Sequence, residues 1–233
     1  SAATVQGEAS RCPAAEEALA GTMTDTLTYS HVRQMLDAAV EQIRNQHEML
    51  SRLDAAVGDG DHGTTMLRAM EAVAKSPGET TGPDLKPLFS AVAWAVMSCD
   101  GGSTGPLLGS FFLGMSEAVA GKSELEGAAV AAMFEAGVTK MQKQSRAQIG
   151  DKTMMDALLP AVAALKTADP AQGIKAALQQ AAEAAAQGAD ATKTMRAKFG
   201  RARHLGDRAI GHPDPGAVSV SLIFKGFSEG VAA

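Results

Sequence analysis

Three aspartates crowd one short stretch, Asp54, Asp59 and Asp61 of LDAAVGDGDHGTTM, with no lysine or arginine before Arg68. Carboxylates this dense repel one another, so an ordered segment needs a positive partner. Gly58, Gly60 and Gly63 allow sharp bends that bring short side chains to a common point. Hard oxygen ligands on such a scaffold suit Mg²⁺, which keeps waters and substrate phosphates in its shell. An EF-hand fails on spacing. With Asp59 as loop position one, Thr64 takes the place of the invariant glycine and Met70 that of the bidentate glutamate. A solvated acidic turn that binds nothing is the plain alternative.

A second loop, DGGSTGPLLGSFF, sets Gly101, Gly102, Ser103, Thr104 and Gly105 ahead of a helix expected from about Pro106. Backbone N–H groups and hydroxyls at a helix start can hold an anion without lysine. An ordinary N-cap with proline in the first turn explains the same residues. AGKS at 120–123 resembles a Walker tail, but position 116 is Ser116 rather than the leading glycine, which excludes a P-loop.

A third cluster, KFGRARHLGDRAIGHPDPGA, supplies Arg201, Arg203 and Arg208, followed by His212, Asp214 and Gly216. Guanidinium groups match phosphate oxygens, although arginines on a loop are equally served by water, and His212 fits a structural hydrogen bond. In GDKTMMDALLPA a helix starts after Gly150 and Asp151, a pattern that capping alone also explains.

The elements that must position these groups read as helices. TYSHVRQMLDAAVEQIRNQHEMLSRL repeats Val32, Met35, Leu36, Ala39, Val40 and Ile43 at helical spacing. Further helices are expected near Thr64–Ala74, Leu85–Ser98, Pro106–Val119, Glu124–Gln144, Thr153–Lys166, Pro170–Met195 and Ala217–Gly230. Breaks carry glycine, proline or aspartate, as in KSPGETTGPD and GHPDPGA. AVSVSLIF is strand-like, yet the Ala and Gly after it favour a buried terminal helix. With no regular strand alternation, the expectation is one all-α domain over 24–233. Residues 1–23 read as a tail or linker, and Met23 as a possible start.

Composition agrees. Hydrophobic residues make up 45% and aromatics only 4%, so Ala, Leu, Val and Met must build the core of close-packed helices. A net charge of -5 argues against a general nucleic-acid binder. No apolar run approaches the ~20 residues that span a bilayer. Two distant cysteines, Cys12 and Cys99, suggest a reduced, cytoplasmic protein.

The four motifs together, in order from about Thr28 to the C-terminus, resemble the nucleotide-binding L subunit or L domain of dihydroxyacetone kinases. The resemblance implies a closed antiparallel barrel of about eight amphipathic helices that binds ADP or ATP with Mg²⁺ at one end. Carried over by motif, Asp54, Asp59 and Asp61 would ligate magnesium. His62, Gly63, Thr64 and Thr65 would line the nucleotide site, and Ser103 and Thr104 would contact phosphates. Met154 would pack near the adenine and Asp214, Pro215 and Gly216 would close over the nucleotide. Arg201 would face the phosphates as the catalytic cation. Ser145 stands beside the nucleotide, where close relatives often have glycine.

The reaction so implied is phosphoryl transfer by positioning and charge neutralisation. The substrate, dihydroxyacetone or a related ketose such as erythrulose, would sit on a separate K-type subunit. The phosphate donor is either ATP or a phosphohistidine carrier protein of a phosphotransferase system that recharges bound ADP. His62 matches the separate subunits, whereas GTTM resembles the fused, ATP-using enzymes. A complete magnesium-dependent enzyme and a non-catalytic nucleotide-binding module that docks on a regulator are the competing classes.

Overall fold

Apolar residues at three- and four-residue spacing bury one stripe of a first long helix, α1 (Tyr29–Val57), from Val32 through Ile43 to Leu50. Thr28 starts it with a capping box, its hydroxyl accepting from the His31 N–H and the His31 ring bonding back to the Thr28 N–H. The computed structural model describes residues 26–75, 84–99 and 102–231. The expected tail over 1–23, with Cys12 and Met23, lies outside the described residues, as do Gly101 and residues 76–83 of the KSPGETTGPD break.

Seven further α-helices follow among the described residues. They are α2 (His62–Lys75), α3 (Leu85–Met97), α4 (Thr104–Ala118), α5 (Gly127–Gln142), α6 (Met155–Thr167), α7 (Gly173–Ala191) and α8 (Pro215–Gly230). AVSVSLIF lies inside α8, as a helix. Each helix packs on the next, and α8 returns along α1, so the eight close into a ring of alternating direction. The expected all-α barrel is the observed fold.

Three expected boundaries move. Glu124–Glu126, expected to open a helix, forms a short strand β2 that pairs antiparallel with β1 (Thr26–Thr28), with Leu27 opposite Leu125. Only β1, far off in sequence, makes it a strand. Pro170–Gln172 is a separate 3-10 turn ended by Gly173 at φ 78°. At the other end α7 stops at Ala191, where the buried Thr192 hydroxyl donates to the Ala189 carbonyl. A second 3-10 turn, Thr192–Thr194, follows, and a third covers Arg201–Ala209.

Inside the ring, Phe134 is the hub of an aromatic cluster, its ring 6.1 Å from Phe111, 5.5 Å from Phe224 and 5.9 Å from Phe227. These rings join α4, α5 and α8, and Leu, Val, Met and Ala supply most of the remaining buried surface. Pro160 inside α6 leaves the Asp156 carbonyl without its helical N–H. α7 closes against that oxygen at Gly188, where a Cβ would lie 2.0 Å away. Among the described residues no helix is long and apolar enough to cross a membrane.

Candidate functional site

Alternation around the ring brings the starts of α2, α4, α6 and α8 to one end. There they border a cavity of about 950 Å³, lined among others by Asp61, His62, Ser103, Thr104, Met154 and Pro215. Each helix start carries partial positive charge and unpaired N–H groups, so the fold aims four of them at this end.

The end of α1 and the turn into α2 supply the opposite charge. Ligand atoms of Asp54, Asp59 and Asp61 all lie within 4.8 Å of one another. Asp54 is fixed from behind, because its Oδ2 accepts the N–H groups of Gly60 at 2.9 Å and His62 at 3.3 Å. Gly60, at φ 81°, permits that turn. The Arg201 guanidinium pairs with Asp59 and lies 3.5 Å from Asp61. Arg201 thus supplies the positive partner that these carboxylates demand.

Across the cavity, Ser103 sits at the N-cap of α4 in a helical conformation, φ -85° and ψ -10°, and its side chain makes no cap hydrogen bond. The capping explanation of this serine is therefore not realised, and its hydroxyl is left to the cavity. Ser219 Oγ stands within hydrogen-bond distance of both the Pro215 carbonyl, at 3.0 Å, and Nε2 of His62, at 2.6 Å, which holds the imidazole in place. Burial pushes the His62 pKa below its ordinary value, opposed by the charges of Asp54 and Asp61.

The remaining wall joins α6 to α8. Asp214 caps α8, accepting from the Ala217 N–H at 2.8 Å. Desolvation pushes its carboxyl up to about 7, the like charges of Asp156 and Asp54 adding to this while the Ala217 bond and Lys152 oppose it. Sequence reasoning missed Lys152, which lines the cavity while only 1% exposed. In the sequence it reads as one more polar residue at a helix start; its burial depends on segments 40 and 60 residues away. Gln144, Arg146, Phe199 and His204 also line the cavity and were not anticipated, because no local pattern marks them.

The cavity brings together Asp54, Asp61, His62, Thr65, Ser103, Thr104, Ser145, Met154, Arg201, Asp214, Pro215 and Gly216. Asp59 joins through the acidic cluster. Gly63 and Thr64, expected to line the site with their neighbours, are not part of the lining. Helical geometry is the reason, since His62 and Thr65 share a face three residues apart while Thr64 points to solvent. Gly63 turns to α1, where a Cβ would lie 1.9 Å from the His47 carbonyl oxygen. Arg203, Arg208 and His212 are also outside the lining.

Known proteins resemble this chain in sequence and in fold. The chain is 37% identical to the ADP-binding subunit DhaL of PEP-dependent dihydroxyacetone kinase 1 from Listeria innocua, over 79% of this chain and 87% of that one. It is 34% identical to the ADP-binding subunit DhaL of the PEP-dependent dihydroxyacetone kinase of Escherichia coli, over 77% and 86%. The dihydroxyacetone kinase from C. freundii, crystallised with AMP-PNP and Mg²⁺, superimposes with a TM-score of 0.66 at 28% identity. That match covers 97% of this chain and 38% of the larger kinase. The DAK2 domain model matches residues 56–229. The chain belongs to the DAK2 domain family.

Proposed function

We propose that this chain is the nucleotide-binding subunit of a ketose kinase, holding ADP or ATP with Mg²⁺ and passing a phosphoryl group to a substrate on a separate K-type subunit. Residues 24–233 form the nucleotide-binding domain in this reading, and residues 1–23 precede it. The observation that carries it is one cavity with Asp54 and Asp61 on one wall, Asp59 clustered beside them, and an uncapped helix start on another.

The residues fit magnesium. Three carboxylates offer hard oxygen ligands within 4.8 Å, and a guanidinium already occupies the place of a cation beside two of them. Asp54, Asp59 and Asp61 would hold the ion, which when bound neutralises phosphate oxygens and stabilises charge during transfer. Ser103, Thr104 and the first N–H groups of α4 would hold phosphate oxygens. Met154 would offer an apolar face to the base, with Ser145 nearby. Asp214, Pro215 and Gly216 would close the far side. Arg201, displaced from the acids by a metal, would turn to the phosphates and oppose charge as it spreads in the transition state.

Dihydroxyacetone is the first substrate to test, and erythrulose the second. ADP serves as a bound coenzyme recharged by a phosphohistidine carrier, a reading supported by the two DhaL relatives of PEP-dependent kinases. A cytoplasmic setting, where nucleotide and carrier are found, belongs to the same reading. The test mixes the chain with a K-type subunit and dihydroxyacetone, then supplies either phosphorylated carrier or excess ATP. The expected result is sustained product formation with the carrier and little with ATP, both lost in Asp61→Ala. Sustained turnover on ATP would transfer the chain to the ATP-using kind. No product with either donor would sink the kinase reading.

A further inference from the structure

The mechanism above leaves the buried ammonium of Lys152 without a task. Lys152 is 1% exposed, and among the described residues it is the one non-glycine residue with positive φ, at 59°. A lysine in this backbone region is strained and persists only where its surroundings enforce it. Those surroundings are visible on both sides. The buried Asp156 carboxylate accepts the N–H of Gly150 at 2.5 Å and of Thr153 at 2.8 Å, bracketing Lys152.

The Lys152 Nζ donates to the Thr192 carbonyl at 2.6 Å and the His212 carbonyl at 2.5 Å. One acceptor lies just beyond α7 and the other in the turn before α8. Both are neutral. The charges of Asp214 and Asp156 favour the ammonium without forming an ion pair with it, and desolvation outweighs them, so its burial is a costly way to fill space. What an apolar side chain cannot do is join two carbonyls. Thr192 passes the connection on, for its hydroxyl accepts the Asp214 N–H at 2.8 Å. Asp214 caps α8, and a Cβ on Gly216 would lie 3.4 Å from the Met154 Cβ, so the chain of contacts returns to the loop it left.

We propose that Lys152 is a positioning residue that registers the Met154 wall of the cavity against the Asp214–Gly216 wall. It touches these walls through backbone carbonyls and sets the distance between them. The role rests on the nucleotide reading above, since the two walls are those between which the base and phosphates would lie.

The test compares the full chain with Lys152→Met, of similar length but without donors. Hydrogen exchange of the Asp214 amide, measured without nucleotide, should accelerate by about tenfold or more while amides of α3 and α4 keep their rates. Calorimetric affinity for Mg-ADP should fall by about tenfold at a temperature where circular dichroism shows the helices intact. Lys152→Arg, which keeps paired donors, should recover most of that loss. Unchanged Asp214 exchange in folded Lys152→Met overturns the proposal, and so does faster exchange with unaltered Mg-ADP affinity, which would mark Lys152 as merely structural. Should Lys152→Met not fold, Thr192→Val keeps the carbonyl and removes the hydroxyl. It should show the same two effects, and unchanged exchange and affinity there would also defeat the idea. If the wild-type chain binds no Mg-ADP, the nucleotide reading fails, while the exchange measurement still reports on the Lys152 connection.

Discussion

Thr28 and Ser103 are both hydroxyl residues at the first cap of a helix, at opposite ends of the barrel, and they behave differently. Thr28 lies in extended backbone, φ -89° and ψ 172°, from which its oxygen reaches the N–H of His31. Ser103 is already helical, and from there it makes no such bond. At the far end the chain closes itself, with β1 paired to β2 and α1 and α3 capped by Thr28 and Asp84. At the cavity end polar groups are gathered but not all satisfied by the protein. The far end is closed by its own caps and strands, although Arg33 Nη1 stays buried there without a partner among the described residues, whereas the cavity end leaves the Ser103 hydroxyl uncommitted.

The largest expected break in this contrast is Arg201→Ala. With K-type subunit and carrier supplied, kcat should fall by about a hundredfold or more, as for a transition-state arginine. Mg-ADP affinity should change by less than about tenfold, and Arg201 is too exposed for its ion pairs to carry much stability. Equal losses in kcat and affinity would demote it to a binding residue.

Asp214 sharpens the contrast through pH. Asp84 likewise caps a helix at the far end, but at the cavity end desolvation pushes the Asp214 carboxyl up to about 7 from an ordinary 3.8. Between those values the folded state keeps a proton that the unfolded state has lost. Stability from this group is therefore full below pH 4 and is lost as pH rises through 7, at up to about 1.4 kcal/mol per pH unit. Asp214→Asn keeps a cap acceptor and should flatten that slope in denaturant titrations across about pH 4–7. An unchanged slope would show that the acid is not desolvated.

The smallest effects compare the two hydroxyls directly. Thr28→Ala should cost about 1 kcal/mol of stability and leave Mg-ADP affinity unaltered. Ser103→Ala should stay within about 0.5 kcal/mol of the parent while weakening Mg-ADP severalfold. Denaturant melts and calorimetry on the two variants check both halves. A stability loss at Ser103 matching that at Thr28 would erase the distinction.

Much of the barrel was legible because amphipathic helices are local. Val32 to Ile43 announce α1 by spacing alone, and Asp54, Asp59 and Asp61 converge because few residues separate them. Glu124–Glu126 misled because its partner strand lies about a hundred residues earlier. Gly63 and Thr64 were grouped with their neighbours by motif, and only the rotation of α2 parts them. Lys152 was hidden for a related reason, since its acceptors lie in segments that only the closed ring brings near.

The direction of α1 bears on how such a barrel can be tethered. Its last turns reach the cavity, so the start of this 29-residue helix lies roughly 40 Å away at the other end. α8 runs away from the cavity and likewise finishes there. Any domain joined before Thr26 or after Val231 is therefore anchored at the end remote from the nucleotide. To lay its own active site over the cavity, it needs a connector of at least about a dozen extended residues doubling back along the barrel wall.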